Sequence, residues 1–402
     1  MVNYQFEIKL GQLLKSLSYA LDIAENRYYG HSRRTAYIAH SIAAEMGLTE
    51  EVLTDVYYAS LIHDIGMAGF LSNYSVIDIH YNEDLKKKHC DIGYRILDKL
   101  PFNDKVREYI LYHHEDWQGN GSYKLRGDET PLGAQIIHIA DYFELFFVRK
   151  YDEIHENYDI NIIKKWIDVY RGKLFKDELC DVILEVIKKD KFYLDLKPEN
   201  INQALDIIEP GKNTNINIHG LHNISEAFSI LIDNKSRFTY EHSQGISQIT
   251  SNFATYLGYN PLMIEKLTIS ANLHDIGKFV IPSSILEKPG KLTSKEFMVI
   301  KSHAYYTKLI LRQVDGLEDI AEWAGNHHEK LNGKGYPERL NERTLTIEDQ
   351  IIAFADIYQA LTEHRPYRSG MEPKKAIAIM TNMAEEGYIL KDLLPDFKQL
   401  VL

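Results

Sequence analysis

The spacing of its histidines is the feature that most restricts how this 402-residue chain can fold. An interval of 32 residues separates His31 from His63 and again separates His242 from His274. An interval of 24 residues between later histidines also occurs once in each half of the chain. A series of intervals that occurs twice in the same order indicates an internal duplication. The sequence therefore predicts two related units in tandem.

Short words around these histidines are repeated as well. The sequence Leu-Ile-His-Asp-Ile-Gly at His63 is matched by Asn-Leu-His-Asp-Ile-Gly at His274, and a His-His-Glu word occurs once in each half. Between the two halves, Glu-Pro-Gly-Lys-Asn carries the Pro, Gly and Asn signals of a linker. We therefore expect one domain at residues 1–195, a linker at 196–217 and a second domain at 218–402.

The hydrophobic pattern favours helices throughout. Apolar residues recur at steps of three and four in both halves, and no convincing alternation with a period of two is present. Helices are predicted at 6–25, 35–46, 51–61, 160–170 and 177–189. Thr49 and Thr293 precede such segments, and Glu296 completes a capping box with Thr293. The predicted fold class is all-α, with two tandem helical domains.

Composition restricts the class of ligand and the compartment. The formal net charge of −12 argues against binding to a nucleic-acid polymer, which requires a positive field. No apolar run approaches the roughly 20 residues of a membrane span, and the first residues lack the features of a signal peptide. Only two cysteines are present, so a thiolate ligand set and a disulfide framework are both excluded. We expect a cytoplasmic protein.

The histidines and aspartates of the second half suit a metal centre. Five imidazoles and two carboxylates are enough to hold two metal ions, and such donors without thiolates favour Fe, Mn or Zn. These candidate ligands are His242, His274, Asp275, His303, His327, His328 and Asp356. The first half keeps the same residue types, which makes a second metal site possible there, at His31, His63, Asp64, His89, His113, His114 and Asp141.

The motifs of the second half resemble those of the HD-GYP family, metal-dependent phosphodiesterases of the HD superfamily. The resemblance rests on the His-Asp pair with a lysine three residues after the Asp, the His-His-Glu word, the Gly-Tyr-Pro loop, Ala-Asp at 355–356 and Arg-Pro-Tyr at 365–367. The first half resembles a degenerate copy, because Met67 stands in the place of Lys278 and the Gly-Tyr-Pro loop is replaced. Both halves are thus expected to be HD-type helical domains.

The resemblance implies a site and a reaction. It makes Asp275 the residue that bridges two divalent metal ions, Fe or Mn foremost, with Zn, Ni or Co as alternatives. A hydroxide shared by the two metals would attack one 3′–5′ phosphodiester of a cyclic dinucleotide of the cyclic di-GMP type. Lys278 would stabilise the developing charge, which places it with Asp275 as a catalytic residue. Glu329 would support a metal-bound histidine. The substrate-binding residues implied are Lys278, Gly335, Tyr336, Pro337, Arg365 and Arg368.

The sequence leaves alternatives open for the number of metals, the substrate and the role of the amino-terminal copy. Phe238 stands where some family members carry a glutamate for a third metal, which favours two metals and linearisation of the substrate. The substrate could instead be 3′,3′-cyclic GMP-AMP. Other hypotheses are an HD-type nucleotidase or triphosphohydrolase and a non-catalytic cyclic-dinucleotide receptor. The amino-terminal copy would be regulatory or structural, and the two units could form an intrachain pseudo-dimer or the chain a homodimer.

Overall fold

The fold is known from a computed structural model, which describes residues 6–24, 30–68, 79–148, 160–211, 214–235, 242–364 and 369–402. Nearly all regular structure in these residues is helical, which confirms the predicted all-α class. The chain divides into two compact units. One comprises residues 17–214, and the other comprises residues 215–402 together with residues 1–16.

The amino-terminal unit is built from ten α-helices among the described residues, of which α1 contributes residues 17–24 only. Their bounds are α1 Leu10–Ala24, α2 His31–Glu45, α3 Glu50–Leu61, α4 Glu83–Leu97, α5 Asp104–Tyr112, α6 Leu132–Phe143, α7 Ile160–Tyr170, α8 Asp177–Val186, α9 Asp190–Asp195 and α10 Ile201–Ile208. Short 3₁₀ turns lie at Ile65–Met67 and Gly127–Glu129, and a π-helical turn at Glu144–Val148 follows α6.

The carboxyl-terminal unit has nine α-helices and a small ribbon among the described residues. The helices are α11 Ile218–Asn234, α12 His242–Tyr256, α13 Pro261–Leu273, α14 Ser283–Leu286, α15 Ser294–Leu311, α16 Glu318–Gly325, α17 Ile347–Thr362, α18 Pro373–Glu385 and α19 Leu394–Val401. The ribbon pairs β1 Glu7–Lys9 with β2 Asn215–Asn217 antiparallel, and 3₁₀ turns lie at Ile276–Val280 and Lys391–Leu393. Three buried rings that pack together, Phe253, Phe354 and Phe397, lie at the centre of its core.

The two predicted helix starts, at Thr293 and Thr49, differ in how their first turns are capped. The capping box of α15 is complete, because the Thr293 hydroxyl accepts from the Glu296 amide while the Glu296 carboxylate accepts from the Thr293 amide. Helix α3 begins after Thr49, as predicted, but the Thr49 side chain makes no capping hydrogen bond. The negative charges of Glu50 and Glu51 in its first turn still stabilise the helix, because they interact with the positive end of the helix dipole.

The range 196–217 contains regular structure in addition to a turn. It includes α10, whose Ala204 and Leu205 are buried in the amino-terminal unit, and β2 of the other unit. The domain boundaries at 195 and 218 stay a prediction. No helix among the described residues has the length and apolar character needed to cross a bilayer.

In each unit, one close contact between a glycine and the backbone of a helix positions the candidate metal ligands. A Cβ atom on Gly277 would lie 1.9 Å from the carbonyl oxygen of His303, and a Cβ atom on Gly66 would lie 2.0 Å from that of His89. Only glycine allows the turn after each His-Asp pair to pack against the backbone of the next long helix. This contact sets the Asp carboxylate beside the imidazole of that helix.

Candidate metal centre

Asp275 is the centre of the first group of donors in the carboxyl-terminal unit. It follows α13 and is almost fully buried. Its Oδ2 atom lies 3.0 Å from Nε2 of His274, and its Oδ1 atom lies 3.4 Å from Nε2 of His303 and 4.0 Å from Nε2 of His327. Three imidazoles from different elements therefore converge on one carboxylate.

Asp356, on α17, is the centre of the second group. Its Oδ1 atom lies 3.4 Å from Nε2 of His242 at the start of α12, and its Oδ2 atom lies 3.7 Å from Nδ1 of His328. The two groups are adjacent, because the ring centroids of His327 and His328 are 4.0 Å apart. The structure thus brings all seven predicted ligands into one cluster, although their role as ligands stays a prediction.

Backbone carbonyls orient the imidazoles of the first group. The Nδ1 atoms of His274, His303 and His327 lie 2.7, 2.6 and 2.6 Å from the carbonyl oxygens of the residues three positions earlier. A ring that donates its Nδ1 proton to a carbonyl presents Nε2 as an electron-pair donor, which is the usual support for a metal-bound histidine. His242 is held differently, with its Nδ1 atom 3.2 Å from Oε2 of Glu363. Glu363 belongs to none of the sequence motifs and was not predicted.

The electrostatics of the cluster keep the carboxylates charged and several imidazoles neutral. Burial disfavours the charged form of Asp275, but the His274 ring and the Lys278 ammonium outweigh it and hold the pKa of Asp275 well below its usual value. Burial lowers the pKa of His303 to about 3 and also holds that of His327 well below its usual value. Burial would lower the pKa of His242 too, but the carboxylates of Asp356 and Glu363 raise it to about 9.

The donor set fits a divalent metal ion. Among the described residues, the buried Oδ1 atom of Asp275 has no hydrogen-bond partner. Leaving such a polar atom unsatisfied in a protein interior costs about 1–3 kcal/mol. A bond to a cation would satisfy it, and neutral imidazoles beside ionised carboxylates are the donors that Fe, Mn and Zn accept.

Lys278 lies at the edge of this cluster. Its Nζ atom is 2.5 Å from Oδ2 of Asp275, and its side chain is 21% exposed, whereas that of Asp275 is 4% exposed. Burial would lower the pKa of Lys278, but the Asp275 carboxylate outweighs it and raises that pKa. The Lys278 side chain is therefore a charged ammonium group that contacts the Asp275 carboxylate and is partly exposed to solvent.

The Gly-Tyr-Pro segment lies directly over the second group. The Tyr336 ring packs on the ring of His328 with centroids 4.9 Å apart, and the peptide bond to Pro337 is cis. A Cβ atom on Gly335 would lie 2.5 Å from Cα of Glu329, so this loop position requires a glycine. The three residues predicted to bind substrate therefore form one wall beside the imidazoles.

Glu329 anchors the loop that follows the Gly-Tyr-Pro segment. Its carboxylate accepts hydrogen bonds from the backbone amides of Glu338, Arg339 and Leu340, at 2.6, 3.0 and 3.0 Å. It therefore fixes the loop after Pro337, and the described contacts do not join it to a metal-type histidine. Glu115 does the same in the amino-terminal unit, where it accepts from the amides of Tyr123 and Leu125.

A cavity of about 710 Å³ opens between α15 and this loop. Its lining combines positive charge with aromatic rings, and Lys301 lies over both the Tyr336 ring and the Phe297 ring. The principal lining residues are Lys301, Tyr305, Tyr306, Lys334, Tyr336 and Arg339. In a protein with a formal net charge of −12, this lining is a local concentration of positive charge. Lys301 and Arg339 were not predicted from the sequence, because neither belongs to a repeated word. Arg365 and Arg368 lie outside the described residues.

The amino-terminal unit brings its seven metal-type residues together as well. Nε2 of His31 lies 3.4 Å from Asp64 and 3.3 Å from Asp141, and Nε2 of His63 lies 3.1 Å from Asp64. Nε2 of His89 lies 3.5 Å from Asp64 and 3.2 Å from Nε2 of His113. The His113 and His114 rings have centroids 4.1 Å apart, close to the 4.0 Å between His327 and His328 in the other unit. Metal binding at this second cluster stays a prediction.

The place that Lys278 takes in the other unit is apolar here. Met67 is 1% exposed and packs with Ile79, Leu85 and Leu145. Burial lowers the pKa of His89 to about 4, and it also holds the pKa of His113 and His114 well below the usual value. These three imidazoles of the amino-terminal unit are therefore neutral, and the unit lacks an ammonium group like that of Lys278.

Comparison with known families places an HD domain in each half of the chain. One HD-domain model matches residues 28–145, and a second one matches residues 226–390. Both matched ranges include the His-Asp pair and the His-His-Glu word of their unit.

Several curated proteins and a solved structure are similar to this chain. The 3′3′-cGAMP-specific phosphodiesterase 1 of Vibrio cholerae is 30% identical over 96% of this chain and 90% of its own length. A cyclic di-GMP phosphodiesterase of Thermotoga maritima is 32% identical over 42% of this chain and 46% of its own length. The crystal structure of a cyclic GMP-AMP-specific phosphodiesterase of V. cholerae superimposes with a TM-score of 0.70 at 26% identity, and the match covers 98% of both chains.

Proposed function

This chain belongs to the HD-GYP family of the HD superfamily, and we propose that its carboxyl-terminal unit hydrolyses one phosphodiester bond of a cyclic dinucleotide. The observation that carries the proposal is that the cluster around Asp275 and Asp356 adjoins a cavity lined by cations and tyrosines. The likeness to named phosphodiesterases over the whole chain supports it.

The seven clustered residues would hold two divalent metal ions, with Asp275 between them. Its two oxygens face different histidines, which supports a bridging role: Oδ2 faces His274, and Oδ1 faces His303 and His327. His242, His328 and Asp356 would complete the second set of ligands. When bound, the metals supply Lewis acidity toward the phosphoryl oxygen and make water a stronger nucleophile at neutral pH. Fe and Mn fit this donor set, as do Zn, Ni and Co.

In the reaction, the oxygen of water adds to phosphorus as the bond from phosphorus to the ribose 3′-oxygen breaks. The leaving oxygen takes up a proton, and the product is a linear dinucleotide with a 5′-phosphate. The Lys278 ammonium, 2.5 Å from Asp275, is placed to pair with the phosphate oxygens as negative charge develops on them. The amino-terminal unit has Met67 at this position and lacks such a cation.

The cavity suits a nucleotide by size and chemistry. Its volume of about 710 Å³ is within the range of about 300–1,000 Å³ that small-molecule sites occupy. Tyr336 presents a ring on which a base can stack, and Lys301 and Arg339 can pair with the phosphate not being cleaved. Arg365 and Arg368 stay in the proposal as phosphate or base contacts.

One observation favours the mixed cyclic GMP-AMP over cyclic di-GMP as the substrate. The similar proteins that align with both units are named as 3′3′-cGAMP-specific phosphodiesterases, at 30% and 29% identity. Those named as cyclic di-GMP phosphodiesterases, such as the one from T. maritima, align with less than half of this chain. We therefore propose 3′,3′-cyclic GMP-AMP as the preferred member of the substrate class.

The test is product analysis by chromatography on the purified, metal-loaded chain. The substrates are both cyclic dinucleotides, their linear forms and nucleoside triphosphates. We expect cyclic GMP-AMP to be linearised fastest, and we expect Asp275→Ala to abolish turnover while the exposed control Asp392→Ala retains it. Triphosphate turnover without cyclic-dinucleotide turnover would assign a nucleotidase instead. Tight binding without cleavage would assign a receptor.

We also propose that the protein acts in the cytoplasm. Cys90 and Cys180 are both buried free thiols, which is common in proteins of a reducing compartment. The pairing of units or of chains expected from the duplication stays a prediction.

A further inference from the structure

His80 adds an eighth donor to the cluster of the amino-terminal unit. Its Nε2 atom lies 2.8 Å from Oδ2 of Asp141, and its ring centroid is 5.0 Å from that of His114. It precedes His89 by nine residues, whereas the residue nine positions before His303 is Ser294. The additional imidazole is therefore a feature of this copy alone and does not come from the duplication.

The donors of this cluster form overlapping groups of metal-ligand size. One ligand atom from each of His80, His114 and Asp141 lies within 4.8 Å of the other two. His31, His63 and Asp141 form a second such group, which shares the same carboxylate. A carboxylate that faces imidazoles on both of its oxygens matches the arrangement around Asp275.

Unsatisfied atoms inside the cluster point to a missing ligand. Among the described residues, both ring nitrogens of His114 have no hydrogen-bond partner. His114 is 6% exposed, so water does not compensate for the loss. A buried ring nitrogen without a partner costs about 1–3 kcal/mol, and a bond to a cation would remove that cost.

The cluster is also more closed than its counterpart. The Asp141 side chain is 1% exposed, whereas that of Asp356 is 11% exposed. His80 covers the Oδ2 atom of Asp141, and apolar Met67 replaces the ammonium that a phosphate would need. Structural metal sites have this property, since protein ligands fill the coordination sphere, while catalytic sites keep a position open.

We infer that the amino-terminal unit binds its own divalent metal in a closed structural site, with His80 as a ligand beside His114 and Asp141. This site does not turn over substrate. The inference is independent of the proposed function, because it concerns metal retention in a unit that lacks the catalytic lysine.

The test measures metal in the full-length chain by elemental analysis after loading with Zn²⁺, with Mn²⁺ in parallel. The double variant Asp275→Ala/His327→Ala removes the carboxyl-terminal site. We expect this variant to stay folded by circular dichroism and to retain roughly one metal ion per chain or more. A folded double variant that retains no metal would overturn the inference.

A matched pair of further substitutions locates the retained metal. In the double-variant background, His114→Ala and His80→Ala should each lower the metal content. His138→Ala should leave it unchanged, because His138 is a buried histidine on α6 that packs against Tyr142 and Phe175. Equal metal content in all three proteins would show that the retained ion binds elsewhere. If His114→Ala fails to fold, His80→Ala carries the test, because His80 lies at the edge of the cluster.

Closure is tested by the rate of metal loss to a chelator. The wild-type chain should release metal in a fast phase and a slow phase, and the double variant should show only the slow phase. Metal that leaves the double variant as quickly as the fast phase of the wild type would contradict a closed site.

Discussion

The Nζ atom of Lys278 lies 2.5 Å from the Oδ2 atom of Asp275, and this ion pair joins the candidate metal centre to solvent. The other unit repeats the carboxylate as Asp64 and replaces the lysine by Met67, buried among apolar side chains. The two units thus have similar donor sets and differ in the group that can meet a phosphate. This difference supports the proposal that turnover belongs to the carboxyl-terminal unit.

Lys278→Met tests the ammonium. We expect kcat for the cyclic dinucleotide to fall by about 10²–10³-fold, with a smaller effect on KM, because the charge acts on the transition state more than on bound substrate. Metal content should stay at the wild-type level, since the lysine is not a ligand. A variant that loses its metal together with its activity would instead show that the ion pair supports the metal centre.

Glu329→Gln tests the anchor of the Gly-Tyr-Pro loop. The carboxylate accepts from three backbone amides, and an amide side chain would turn a donor toward one of them. We expect KM to rise about tenfold, which corresponds to the loss of about 1.4 kcal/mol of substrate binding. Glu115→Gln is the matched control, because Glu115 anchors the corresponding loop of the other unit. An equal rise in KM for both variants would contradict a local role.

Much of the candidate site could be predicted from the sequence because the duplication preserves intervals along helices. The interval between His303 and His327 is the same as that between their counterparts in the other half. Both imidazoles must reach the same carboxylate, that of Asp275, which explains why the spacing is preserved. The repeated words also pointed to the glycine after each His-Asp pair. Its packing against the next helix explains why that word is repeated.

Other parts of the site could not be predicted, because they depend on where separate segments meet. Glu363 supports His242 across 121 residues, and Glu144 supports His31 across 113 residues, from positions that do not correspond in the two copies. His80 reaches Asp141 without a counterpart in the other unit. Lys301 and Arg339 meet in the cavity only because α15 packs beside the loop.

Gly277→Ala tests the contact that sets Asp275 in place. The added methyl group would meet the His303 carbonyl oxygen at 1.9 Å and the Thr307 amide nitrogen at 2.7 Å. Since backbone atoms cannot move aside freely, we expect the free energy of unfolding to fall by about 3 kcal/mol or more, with loss of metal from that unit. The measurement is denaturant unfolding with metal analysis. An unfolding midpoint unchanged from wild type would disprove the contact.

The pair of His222 on α11 and Glu265 on α13 predicts a pH dependence of stability away from the metal centre. The two side chains lie 2.9 Å apart. The ion pair with Glu265 raises the pKa of His222 above its usual 6.5, and the ion pair with His222 lowers the pKa of Glu265 below its usual 4.5. The stabilisation is therefore complete between about pH 4.5 and 6.5. It is lost as the pH rises through the raised pKa of His222 or falls through the lowered pKa of Glu265.

His222→Gln should accordingly reduce the free energy of unfolding by about 1 kcal/mol near pH 5.5 and by much less near pH 9. His219→Gln, at an exposed position on the same helix, is the control. Urea unfolding at both pH values measures the difference. A loss that is the same at pH 5.5 and pH 9 would mean that His222 stabilises the helix pair through contacts that do not depend on its charge.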